Sequence, residues 1–139
     1  MPLTTRAPSA DVLLTSHAKA AAQARRVVTT LAAHDTDVAE RGELLVSEAV
    51  TNAVEHTDSA NVQLSVSVDR RSGELFCAVF DTDPQQPTPP PAPAEDAEPG
   101  ESGRGLGLIA SLSDAWGCVA GGRGKWIWFH LRPGGKGAC

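Results

Sequence analysis

The stretch that decides the fold is "LLVSEAVTNAVEHT", residues 44–57. Placed at 100° per residue, Leu45, Val46, Ala49, Val50 and Ala53 gather on one side, as in a helix laid on a core. Glu48 and Asn52 stand one turn apart beside that side, on the flank that also carries Arg41 and Glu55, and His56 follows one turn later. A carboxylate and an amide in register at the border of an apolar face have two readings. They form a solvated polar stripe, the usual meaning of an isolated Glu-x-x-x-Asn, or they belong to a site carried by a core helix.

Working outward, the apolar pattern extends this helix from about Asp37 to His56. Before it, "SHAKAAAQARRVVTTLAA" (16–33) is alanine-rich and free of Gly and Pro, which predicts a first helix with Val27, Val28 and Leu31 as its stripe. After it, "NVQLSVSVD" alternates strictly, with Val62, Leu64, Val66 and Val68 on one side, which predicts a half-buried strand. "RRSG" (70–73) reads as a turn into "ELFCAVFD" (74–81), a nearly continuous apolar strand expected to be covered on both faces.

Composition then breaks. Residues 82–102 hold seven of the ten prolines and no large apolar side chain, so they cannot pack a core. The 37 residues beyond are too few for a second domain, which favours a lid over a linker. "GRGLGLIASLSDAWG" then predicts a glycine turn and a short helix from Leu106 to about Ala115, ended by Gly117. A short strand near 116–120 is possible on pattern, and "GKWIWFHL" (124–131) alternates as a last strand. Trp126 and Trp128 fall out of phase with Ile127, Phe129 and Leu131; they are expected in a covered second face rather than on a partner surface. Residues 1–15 and 132–139 are expected to be flexible ends around a single domain, 16–131. The fold class expected is α+β: a two-layer sandwich with a mixed, mostly antiparallel sheet and helices on one face.

Bulk properties narrow the partners. Twelve basic and seventeen acidic residues give a net charge of −5, with the basic residues scattered, which argues against nucleic acid or an anionic membrane. No apolar run reaches membrane-spanning length, and "MPLTTRAPSA" has no signal-peptide pattern. Cys77, Cys118 and Cys139 lack metal-ligand spacing and suit free thiols in a reducing cytoplasm.

Three features stand together: Glu48-x-x-x-Asn52 on a helix, Asp81 at the exit of an apolar strand, and Gly103-Arg104-Gly105-Leu106-Gly107 opening a helix after the proline segment. In combination these resemble the GHKL ATP-binding superfamily of gyrase, heat-shock chaperone, histidine kinase and mismatch-repair ATPases. In size the chain looks most like stand-alone anti-sigma-factor serine/threonine kinases, especially short actinobacterial forms. The resemblance covers about residues 16–131 and implies a Bergerat-type ATP-binding fold with 82–102 as the ATP lid. It implies ATP and Mg²⁺ as ligands, with Asn52 on the metal and Glu48 as the base that accepts the proton of an attacking hydroxyl. It also implies Asp81 as the acceptor for the adenine 6-amino group. Gly103, Arg104, Gly105, Leu106 and Gly107 would lie against the phosphates, and His56 matches a family histidine at the end of the helix.

The implied activity is phosphorylation of an anti-anti-sigma protein of the STAS type, with a sigma factor as the second partner and a homodimer as a common family state. The alternative is a non-catalytic GHKL adaptor that sequesters a regulator. Two departures bear on the choice. Asp81-Thr82-Asp83 replaces the family's Asp-x-Gly, and Gly122-Arg123-Gly124-Lys125 lacks the family's Gly-x-Thr hydroxyl, with Lys125 a substitute for it or not.

Overall fold

The computed structural model describes residues 9–15, 18–56, 61–82, 104–121 and 123–135. Five strands, β1 (Ser9–Thr15), β2 (Asn61–Val68), β3 (Leu75–Asp81), β4 (Ala115–Gly121) and β5 (Gly124–Leu131), form one sheet in the order β1-β2-β3-β5-β4. Every described pairing is antiparallel, so the mixed sheet expected from sequence is not seen among these strands. Three helices, α1 (Ala20–Leu31), α2 (Thr36–His56) and α3 (Arg104–Leu112), complete the order.

The α+β reading holds. Alternation along β2 buries Val62, Leu64, Val66 and Val68 beneath the helices, as its period of two requires. The core between layers gathers Leu45, Val46 and Val50 of α2, Ile109 of α3, and Ile127, Phe129 and Leu131 of β5. On α1, Val28 is joined in the core by Ala20 and Ala24, while Val27 and Leu31 are only half-buried. Small residues at that spacing let α1 lie close to its neighbours. Gly42 does the same on α2, where a Cβ would come within 2.7 Å of Leu75 and 2.9 Å of Val28. The amide of Val38 donates to Asp35 Oδ1 at 3.0 Å, which caps the start of α2.

Four sequence expectations are corrected. Residues 9–15, placed in a flexible end, pair with β2 along their whole length, because Val12 and Leu14 continue the inward apolar alternation. The helix α3 starts at Arg104 and ends at Leu112, with the Ser113 amide donating to the Ile109 carbonyl at 3.0 Å. Gly117 therefore does not stop it. It sits in β4 against the Trp128 ring, where a Cβ would fall 2.8 Å from the indole. At the other end, 132–135 is fastened: the Arg132 amide donates to Asp114 Oδ2 at 2.7 Å, and Gly135 N–H to the Arg132 carbonyl.

The fourth correction concerns the second sheet face. Phe76 and Phe80 of β3 and Trp126 and Trp128 of β5 point away from the helices, and no described element covers them. They pack on one another instead, Phe76 with Trp128 at 5.8 Å and Phe80 with Trp126 at 5.2 Å between ring centroids. Phe76 remains 40% exposed and neighbouring Val119 60% exposed. The tryptophans are thus a half-buried outer layer and not core.

Candidate functional site

Helix α2 brings the first pair. Glu48 and Asn52 are both half-buried, one turn apart, beside the fully buried Ala49, Val50 and Ala53. Among the described residues neither side chain has a hydrogen-bond partner. Their flank neighbour Arg41 behaves otherwise. It is buried, and its guanidinium reaches Asp37 Oδ2 at 2.9 Å, the Arg132 carbonyl at 2.6 Å and the Leu112 carbonyl at 3.4 Å, with Asp114 at 3.7 Å. One flank of one helix therefore divides into a structural end and an open end. His56 is the final residue of α2.

The strand β3 brings Asp81. Its carboxylate faces the helices, in phase with Leu75, Cys77 and Val79, and is only 2% exposed. Directly across the ladder lies Lys125 of β5, 3% exposed, with Nζ 3.0 Å from Asp81 Oδ1. The question left open by the missing hydroxyl is answered in geometry: Lys125 goes to Asp81. Sequence reading did not foresee this pair, but the signal was there. Lys125 is in phase with Ile127, Phe129 and Leu131, as Asp81 is with its own buried neighbours. Two inward charges on inward-facing positions must find each other or stay unpaired at several kcal/mol each.

Gly124 makes this rung possible. Its φ is +154°, and a Cβ there would lie 2.1 Å from the Asp81 carbonyl oxygen and 2.8 Å from the Phe80 ring. On the next strand Cys118 stands opposite Ile127, on the neighbouring rung of the same face. Burial and the Asp81 carboxylate hold its thiol above the ordinary value, while Lys125 pulls the other way.

The third feature, the glycine box, is partly resolved. Gly103 and the lid at 83–102 lie outside the described residues. Arg104, Gly105, Leu106 and Gly107 form the first turn of α3, not a loop before it. Helix α3 packs on α2, and a Cβ at Gly107 would meet nothing within 4 Å among the described residues. A first turn offers N–H groups that have no partner within the helix, a natural place for phosphate oxygens.

These residues fit a magnesium-bound nucleotide by the chemistry of their donors. Among the described residues no group of three His, Cys, Asp or Glu could hold a metal by itself. A magnesium ion that keeps its waters and shares phosphate oxygens needs little more than an amide oxygen such as that of Asn52. No helix among the described residues is long and apolar enough to cross a membrane.

Comparison with known proteins agrees with this geometry. The family model for the histidine kinase-like ATPase domain matches residues 14–131. Among solved structures, the RsbU and RsbW domains of Rv1364c from Mycobacterium tuberculosis superpose with a TM-score of 0.66 at 18% identity, over 90% of this chain and 32% of that one. The histidine kinase domain from the blue-light activated histidine kinase EL346 of Erythrobacter litoralis gives a TM-score of 0.50 at 23% identity, over 82% of this chain and 59% of that one. The chain thus spans about a third of the first relative and three fifths of the second, and at these identities the likeness speaks for the fold. No curated protein matches the sequence. With a family model covering β2 to β5, the three described helices and each of the candidate positions, this chain belongs to the histidine kinase-like ATPase domain family.

Proposed function

We propose that this chain is an ATP- and Mg²⁺-dependent serine/threonine kinase of the anti-sigma-factor type, which binds a sigma factor and phosphorylates an anti-anti-sigma STAS protein. The observation that carries the reading is the Glu48/Asn52 pair: two polar, half-buried side chains in register on a core helix, without a hydrogen-bond partner among the described residues.

In this reading Asn52 contributes its amide oxygen to the metal, and the first turn of α3 from Arg104 to Gly107 lies along the phosphates with Gly103 before it. His56 is the last residue of the same helix. Magnesium, when bound, offsets phosphate charge. Glu48 accepts the proton of the incoming serine or threonine hydroxyl, work worth about 10²–10⁴-fold in rate for a well-placed base. Asp81, at the floor, accepts from the base. Most of the acceleration comes from holding donor and acceptor in line. The segment 82–102 serves as the lid in this scheme.

One observation favours a second reading, a nucleotide-holding adaptor that regulates by sequestration. The Asp81 carboxylate already has a buried cationic partner in Lys125. Labelled ATP, Mg²⁺ and a panel of STAS proteins separate the two. The kinase reading expects label on a STAS serine or threonine, lost in Glu48→Ala with ATP affinity kept. ATP binding and tight sigma-factor binding without transfer to any of the panel would overturn it in favour of the adaptor.

A further inference from the structure

Four large apolar side chains stand exposed among the described residues, and three of them, Leu13, Phe76 and Val119, lie on the outer sheet face. Strand register joins them to the aromatic layer. One row crosses all five strands as Leu13–Gln63–Phe80–Trp126–Val119. The next rows bring Trp128 and then Phe76 onto the same face, beside Gly117 and Ala115. Charge on these rows is confined to Asp11 at the β1 edge and to His130, which meets Glu74 at 2.7 Å. An aromatic centre poor in charge is the composition of an interface core.

The first of these rows is also uneven. At one end Leu13 stands out from the edge strand β1, 65% exposed. At the other end lies a hollow of about 300 Å³, lined by Phe80, Trp126, Val119, Gly121 and Gly124. Four strand spacings, about 19 Å, separate the two ends, so Leu13 does not reach the hollow of its own chain.

We infer that this face joins two copies of the chain, packed back to back about a twofold axis parallel to the strands. Such an axis reverses strand order and keeps position along the strands, so each row lies over the same row of the other copy, run backwards. Leu13 then enters the hollow beside Val119 of the partner subunit, and the reciprocal contact forms at the same time. The pair closes as a dimer instead of growing into a filament. An unlike partner would need no knob and hollow placed on one row, which is why a second copy is the occupant. Area agrees with this choice. Five strands about 4.8 Å apart and seven residues long at about 3.3 Å each present about 550 Å². Two copies therefore bury about 1,100 Å², above the roughly 1,000 Å² that a specific interface needs. Sheets packed face to face in this aligned way fill a gap of about 10 Å with interdigitating side chains. The inference does not depend on the nucleotide reading and holds for a kinase and an adaptor alike.

The test is sedimentation of the full chain over a range of concentrations. The native chain should be a dimer, and Leu13→Lys and Val119→Lys should each raise its dissociation constant about tenfold or more. Both positions are exposed, so the variants should keep the native melting temperature. Leu44→Lys, off this face, should sediment as the native chain does. With Cys118 and Cys139 replaced by alanine, the double variant Leu13→Cys, Val119→Cys should oxidise to a linked dimer, since about 19 Å is far too long for a bridge within one chain. A native chain that stays monomeric at about 100 μM overturns the inference. So does a dimer that both folded lysine variants leave unchanged. Association that appears only after residues 84–93 are deleted would also overturn it, by giving the face of the native chain to its own proline segment.

Discussion

Replacing Arg41 by methionine should loosen the joint between α2 and α3 more than any other single polar change on that helix. The guanidinium is 7% exposed and ties the first turns of α2 to two other places in the chain. It donates to the Arg132 carbonyl after β5 and to the Leu112 carbonyl at the end of α3, and it faces Asp114, whose side chain is 4% exposed. Methionine keeps most of the packing volume but removes every donor. Breaking a buried pair by removing one partner costs about 3–5 kcal/mol, and each carbonyl left without its donor adds to that sum only partly, since the terms are not additive. Two facts lower the figure. Asp114 keeps the Arg132 amide at 2.7 Å, and the Asp37 half of the network is 38% exposed. We therefore expect a loss of about 3 kcal/mol, read as an unchanged m-value and a lower midpoint in urea. Asp37→Ala serves as the control and should cost no more than about 1 kcal/mol, as exposed pairs do. If Arg41→Met costs less than about 1 kcal/mol, or no more than Asp37→Ala, the joint is not what holds these elements.

Three further outcomes follow from other parts of the molecule. Asn52→Ala should reduce the gain in ATP affinity produced by Mg²⁺ by roughly tenfold or more without altering metal-free binding, seen by calorimetry with and without the ion. Gly117→Ala must move the Trp128 ring off Phe76, at a cost of about 1–3 kcal/mol, with a change in tryptophan emission that Gly121→Ala, whose Cβ position is open, should not show. Burial raises the Cys77 thiol above its ordinary 9.0, so the folded state holds that proton where the unfolded chain gives it up. Stability owed to this is intact below pH 9.0 and is lost above it, with a slope of at most about 1.4 kcal/mol per pH unit. Cys77→Val should flatten that slope in urea titrations run on either side of the thiol range. An identical slope in the variant would assign it to other groups.

The sequence by itself determined the helix α2, the hairpin of β2 and β3, and the last strand, because each has a strong local period and a turn to end it. It also marked Glu48 and Asn52, since their meaning depends on spacing within one helix. What it misread depends on neighbours. Seven residues of β1 look like a loose end until β2 supplies the ladder, and Gly117 looks like a helix stop until Trp128 is seen above it. Arg41 and Glu48 share one flank in projection, yet only the ends of α3 and β5 make the first structural and leave the second open. The pairing of Asp81 with Lys125 joins residues 44 positions apart. Periodicity fixes the face on which a side chain stands, but only strand register decides which charge it meets there.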